Sequence, residues 1–220
     1  MRVSEIYACF EGRGLLIGLP QIVVRVMPNN EELTEGSSDK VPKELTSDEL
    51  LASFDSNSIK AESVSIIGDK AVYQKDIVSV VKTLIKKNYY LKIEVSSEDY
   101  NQDVFRNVDY ISVNIIGKKG YSKDSIKNIN KILYKYDFKT EIRFFVENEK
   151  DIDAAIDTYR KDFFDKKNFI NYIVIPYLDK KSKSDKKEFL KTLHSKILNE
   201  QLQIRVILSQ PNYLRTSGLR

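Results

Sequence analysis

Short runs of β-branched and aliphatic residues alternate along this chain with stretches whose apolar positions recur every three or four residues. The first pattern suits a buried or half-buried strand, the second a helix packed by one face. Arg2 to Cys9 alternates and carries Val3, Ile6 and Tyr7, which predicts a strand. Gln21 to Val26 is a compact β-branched run and predicts a second, buried strand. Further strands are predicted at Ser63 to Ile67, Tyr90 to Val95, Asp109 to Ile116, Thr140 to Val146, Tyr172 to Ile175 and Gln203 to Leu208.

Helices fill the intervals. Thr46-Ser-Asp-Glu49 has the spacing of a capping box and predicts a helix start, with Leu50, Leu51 and Phe54 as its apolar side. Residues 75–87 place Ile77, Val80, Val81, Leu84 and Ile85 on one face. A weak helical turn is predicted around Asp99 to Phe105. Longer helices are predicted at Ser122 to Tyr136, Asp151 to Phe164 and 185–200. Residues 28–42 are polar and read as a loop, as does Lys180 to Lys187, and the tail 209–220 has little pattern. Regular alternation of strand and helix predicts right-handed crossovers and a mainly parallel sheet. By pattern alone, a partial barrel and a doubly wound sheet both remain open.

Composition narrows the chemistry. The 220 residues, 41% of them hydrophobic, suit one α/β domain. The net charge of +4 is too small to argue for a nucleic-acid or membrane binder by itself. One cysteine, Cys9, and one histidine, His194, exclude an intramolecular disulfide. They also exclude an iron-sulfur cluster held by several of the chain's own thiolates, and a four-ligand structural zinc. No apolar run has the length of a membrane span and the opening lacks a signal-peptide layout, so a cytoplasmic protein is expected.

Between the first two predicted strands lie Gly12, Gly14 and Gly18. They permit either a tight connection or a close backbone approach to a ligand. Cys9 reads as a small core side chain and His194 as a surface or partly packed residue on the last helix. The lysines of 180–187 offer a solvated loop or an RNA-phosphate contact, and the 13 tyrosines mostly fall at positions that suit packing.

The opening resembles the N-terminus of the 7-carboxy-7-deazaguanine synthase family of radical S-adenosylmethionine enzymes. The resemblance rests on Arg2-Val-Ser-Glu-Ile-Tyr7, Glu11-Gly-Arg-Gly14, Gly18-Leu-Pro20 and Val24-Arg25. It is strong there and patchy beyond, with later landmarks in order. Where the family places a Cys-x3-Cys-x2-Cys loop, this chain has Met27 to Ser37 without cysteine. Where the family has Thr-Gly-Gly-Glu-Pro, it has Ile67-Gly68-Asp69-Lys70-Ala71: Gly68 stays, while Asp69 and Lys70 replace a glycine and a glutamate. Glu94 is kept in a strand landmark. Asn114 and Ile116 replace an acid and a lysine, and Gln210 is kept where a histidine and a lysine are lost.

The resemblance implies a single domain, 1–220, with the partial (β/α) barrel of the radical S-adenosylmethionine type and with 28–42 in place of the cluster loop. It implies that the four-iron cluster and S-adenosylmethionine use are lost, with no cofactor and no catalytic residue retained. Lys70 would repel the cofactor amino group that a glutamate would have held. Glu11, Gly12, Gly14, Arg25 and Gln210 are the ligand-binding residues it implies, for a purine- or pterin-like molecule. Arg25 reads equally as a solvated strand-end arginine or salt-bridge partner. The expected function is a catalytically inactive binding or partner subunit, linked to deazapurine and tRNA modification in the queuosine and archaeosine pathway. Its expected partners are a second copy, an active paralogue or a tRNA-modification enzyme, with no membrane contact. A non-radical enzyme or binder using the retained pocket, and an RNA-binding module, are the alternatives.

Overall fold

The computed structural model describes residues 1–28, 42–56, 61–163, 171–178, 181–209 and 215–218. In chain order the strands are β1 (Arg2–Phe10), β2 (Pro20–Val26), β3 (Lys43–Glu44), β4 (Ser63–Ile67), β5 (Tyr90–Ser96), β6 (Tyr110–Ile116), β7 (Thr140–Val146), β8 (Asn171–Pro176), β9 (Arg205–Val206) and β10 (Arg215–Gly218). The helices are α1 (Ser47–Ser56), α2 (Ile77–Lys86), α3 (Gln102–Asn107), α4 (Gly117–Gly120), α5 (Lys123–Tyr136), α6 (Glu149–Thr158) and α7 (Lys183–Asn199). One sheet carries all the strands in the order β10-β1-β2-β4-β5-β6-β7-β8-β9, with β3 added on β1. From β2 to β9 every neighbour is parallel, and β1 runs antiparallel to β2, β3 and β10.

Strand alternation sorts side chains to two faces. Ile22, Val24, Val64, Ile66, Leu91, Ile93, Ile111, Val113, Ile142 and Phe144 point to the helices and form the main core with Val81, Leu84, Ile129 and Leu193. The other face is different. There β5 sets Lys92 and Glu94, β6 sets Ser112, and β7 sets Glu141 and Arg143, all buried. A flat sheet would hold β1 and β7, five strand steps apart, about 24 Å from each other. Instead Arg143 on β7 comes within 3.9 Å of Glu11, which follows β1 directly. The sheet therefore curls into a partial barrel, and its inner face holds this polar set beside a small apolar cluster of Phe145, Ile173 and Ile175.

The capping box forms: Glu49 Oε2 accepts from Thr46 N at 2.8 Å and Thr46 Oγ1 accepts from Glu49 N at 3.3 Å. The weak turn near Asp99 becomes α3, capped by Asn101, whose side chain accepts from Asp103 N and Val104 N. Several expectations are corrected. The tail is not patternless, because Arg215–Gly218 pairs with β1, Tyr7 opposite Gly218. The partner lies almost a whole chain away, so no local period announces it. The lysine run is not all loop: Ser182 Oγ accepts from Asp185 N at 3.2 Å and starts α7 at Lys183. The last parallel strand shrinks to Arg205–Val206. The helix expected from Asp151 starts at Glu149, capped by Asn148, and its last turn, Tyr159–Phe163, widens to a π-turn. Both end residues of that turn lay their rings on Tyr172, with centroids at 4.9 and 5.6 Å. Among the described residues no helix is long and apolar enough to cross a membrane.

Candidate functional site: the charged barrel interior

The glycine-rich turn leaves β1 at Glu11 and returns at Leu19. Glu11 N donates to Leu19 O and Gly18 N donates to Glu11 O, each at 2.8 Å, which pins the base of the turn. Gly14 holds a φ of +74°, a region that L side chains rarely adopt. A Cβ there would lie 2.5 Å from Arg143 Nη2 and from Glu141 Oε1. The turn is thus folded inward, with its backbone against β7.

Six side chains form one ion-paired network, five of them fully inside and Arg13 at its rim. Arg143 pairs with Glu141 on its own strand and donates from Nη1 to Glu94 Oε1 at 2.9 Å. Lys92 donates to the same Glu94 oxygen at 3.1 Å and presses against Glu11 Oε2, which receives no hydrogen bond of good direction among the described residues. Glu141 also accepts from Ser112 Oγ at 2.8 Å, Tyr110 OH at 3.3 Å and the Leu15 backbone N–H at 2.9 Å. Arg143 Nη2 donates to Arg13 O at 3.2 Å. Arg13 itself reaches Glu94 Oε2 at 3.5 Å and lies over the Phe145 ring. Three carboxylates, Glu11, Glu94 and Glu141, thus meet three cations, Lys92, Arg143 and Arg13.

Burial opposes ionisation of Glu94, but Lys92, Arg143 and Arg13 outweigh it and hold its carboxyl well below the usual carboxylate range. Burial also opposes the charge of Arg143, and Glu94 and Glu141 overcome it and raise the guanidinium further. Lys92 is pulled down by burial. Tyr110 is pushed far up by burial and then by the Glu141 charge beside it, so its hydroxyl stays protonated and serves as a donor.

What remains open is a cavity of about 130 Å³ under the turn, bordered by Gly12, Glu11, Gln21, Arg25, Ser65 and Glu94. Typical small-molecule pockets measure ~300–1,000 Å³. Of the residues expected to bind a ligand, Glu11, Gly12 and Arg25 border this space. Gly14 is placed against Glu141 and Arg143 instead, and Gln210 lies outside the described residues. Arg25 is half-exposed and 3.6 Å from Glu5, so its salt-bridge reading holds and it still reaches the cavity. Cys9 is half-buried on the cavity wall, not in the core. His194 is exposed, as expected.

The stretch after β4 is also absorbed by the fold. Gly68 has a φ of +130° and a Cβ there would collide with Val26 O, so close strand packing alone demands glycine. Asp69 is exposed. Lys70 donates to Asp99 Oδ1 at 2.9 Å, a bond that raises its pKa. The ammonium expected to repel a ligand is instead neutralised by its own chain. Lys92, Glu141 and Arg143 were not singled out from the sequence. Their signal was present: Lys92-x-Glu94 and Glu141-x-Arg143 each put opposite charges on one face of an otherwise apolar strand.

These residues do not fit the family's groups. A chain with one cysteine cannot supply three thiolates, and Cys9 sits on β1 beside Gln21, whose amide donates to its sulfur at 3.7 Å. Among the described residues no three His, Cys, Asp or Glu side chains converge as metal ligands.

No protein-family model matches the chain, and no curated protein sequence matches it. Among solved structures, QueE from Escherichia coli is similar, with a TM-score of 0.63 over 95% of this chain and 93% of that chain, at 16% sequence identity. An agreement of that extent at so low an identity speaks to architecture: the chain has the partial (β/α)-barrel fold of the radical S-adenosylmethionine type that QueE also has.

Proposed function

We propose that this chain is a binding or partner subunit built on that scaffold, without radical S-adenosylmethionine chemistry of its own. One observation carries the reading. The barrel interior is lined by the chain's own side chains, with Lys92, Glu94, Glu141 and Arg143 held in ion pairs and each at most 6% exposed, while Arg143 Nε alone of the guanidinium nitrogens has no hydrogen-bond partner among the described residues. Buried charges persist when partners satisfy them. A ligand that used these four groups would have to displace those partners. The resemblance of the opening supplies the setting, deazapurine and tRNA modification, and the partner class: a second copy, an active paralogue or a tRNA-modification enzyme.

Anaerobic reconstitution with ferrous iron and sulfide is expected to leave the visible spectrum without charge-transfer bands. S-Adenosylmethionine is expected to leave the melting temperature unchanged. A stable four-iron spectrum overturns the proposal. Affinity purification from the native cell is expected to recover a stoichiometric protein partner.

A second reading attaches to the cavity. Ser65 Oγ borders it, 1% exposed and without a hydrogen-bond partner among the described residues. That hydroxyl, Gln21 and Arg25 suit one small polar ring system of purine or pterin type. Under this reading deazapurines or pterins raise the melting temperature of the wild type and not of Ser65→Ala. Absence of any shift removes it and leaves the partner reading standing.

A further inference from the structure

The outer face of α5 carries lysines at 123, 127, 131 and 135, each four residues from the next, against a single aspartate, Asp124. That spacing stacks like charges on one side of the helix, where Glu-Lys alternation would be the stabilising choice. None of Lys127, Lys131 and Lys135 lies within ion-pair distance of a carboxylate among the described residues. Lys135 donates to the neutral Gln102 side chain at 2.9 Å, and Lys131 Nζ sits 5.5 Å from the Tyr100 ring. Two lysines of α7 differ: Lys196 is paired with Asp153 and Glu149 on α6, and Lys191 with Glu188 on its own helix.

Two large rings stand among these lysines. Tyr134 is 88% exposed and Phe138 is 72% exposed. Tyr134 lies in the last turn of α5, and Phe138 in the 3-10 turn, Asp137–Lys139, that follows it. The core-facing side of α5 is already used by Ile126, Ile129, Ile132 and Leu133, so the rings are surplus to packing. Beside α5, Gln102 opens α3, and a groove of about 480 Å³ between α2 and α3 is lined by Lys82, Arg106, Asn107 and Asp103.

We infer that this face binds a single-stranded nucleic acid, with the lysines on phosphates and Tyr134 and Phe138 stacked on bases. The inference is independent of the barrel interior. Flat exposed rings interleaved with unpaired ammonium groups are what a flexible strand with alternating phosphates and bases requires. A membrane surface needs a continuous apolar face to insert, and α5 has spent that face on the sheet. Contact of α5 with its own copy would set the lysine row against itself.

Fluorescence anisotropy with short labelled single-stranded RNA and DNA tests this, with circular dichroism as a folding control. Binding of either strand at low salt is expected. Tyr134→Ala with Phe138→Ala should weaken it about tenfold or more, since stacking on one ring is worth a factor of that order. Lys127→Gln with Lys131→Gln should reduce the slope of log affinity against log salt by about 1.4, ~0.7 for each phosphate left without its lysine. Lys186→Gln with Lys187→Gln on α7 should change nothing. The proposal is overturned if neither strand binds, if the α7 pair abolishes binding while the α5 pairs do not, or if the protein is retained by phosphatidylserine vesicles and by no oligonucleotide.

Discussion

Charge is used in opposite ways on the two sides of this sheet. Inside the barrel every ionised group meets its opposite: Arg143 alone holds Glu94 and Glu141, and Lys92 holds Glu94 and Glu11. On α5 Lys127, Lys131 and Lys135 stand in a row with no carboxylate within ion-pair distance among the described residues, and two exposed rings, Tyr134 and Phe138, stand near the end of that row. Residue types are similar in both places; satisfaction differs. A paired interior is a finished structure that holds the glycine turn in place. An unpaired exterior row is tolerated only because water solvates it, so it is the place where an added anion would gain most.

The comparison breaks first at Arg143. Arg143→Met should cost about 3–5 kcal/mol, because it removes the cation paired with Glu141 and one of the three beside Glu94 in the interior. Urea denaturation measures this, and a loss below ~1 kcal/mol would mean that water enters and the interior is not the closed network described.

Gly14→Ala comes next, at about 1–3 kcal/mol from backbone strain, with the collision against Glu141 and Arg143 added. Gly18→Ala is the matched control, since its φ is also positive, +88°, while its Cβ would meet nothing within 4 Å. The difference between the two melting curves isolates how tightly the turn is packed.

Acid sharpens the comparison further. The folded pKa of Glu94 is depressed, so its stabilising contribution is fully present above the unfolded glutamate value near ~4.3 and is lost as pH falls through the folded value. Melting temperature should therefore hold from neutral pH down to about 5 and fall below about 4. Glu94→Gln should be less stable at neutral pH and flatter in acid.

The smallest effect belongs to the exterior. Lys131→Glu converts two like-charge neighbours, Lys127 and Lys135, into opposite-charge pairs and should stabilise α5 by about 0.2–0.5 kcal/mol per pair at low salt. High salt should erase the gain. A larger loss of stability would mean that Lys131 is structural.

Much of the architecture was legible because it is local. Ser63–Ile67 and Thr140–Val146 are observed at the bounds their apolar runs predict, and Thr46 with Glu49 caps α1 as the spacing requires. What escaped is non-local. Arg215–Gly218 becomes a strand only because β1 offers it an edge, and Lys43–Glu44 for the same reason. The candidate site divides likewise. Glu11 and Arg25 were reached only through the family resemblance of the turn and strand that carry them. That Gly14 serves Arg143, or that Lys70 answers Asp99, needs the curl of the sheet and the loop after β5, which no window of sequence contains. The charges of β5 and β7 were readable as ions on apolar strands, and their mutual pairing was not.

The inward-folded turn also has a consequence for the order of assembly. Glu11 and Leu15 leave the ribosome early, but Lys92 follows much later, and Glu141 and Arg143 later still. Until β7 exists the turn has nothing to close on, and until Arg215–Gly218 exists β1 keeps one hydrogen-bonding edge open. Contacts so distant in sequence slow folding, and an open edge invites pairing with other chains. Nascent chains stalled before β7 should therefore remain protease-sensitive at residues 11–18, and release of the finished strand order should protect them together.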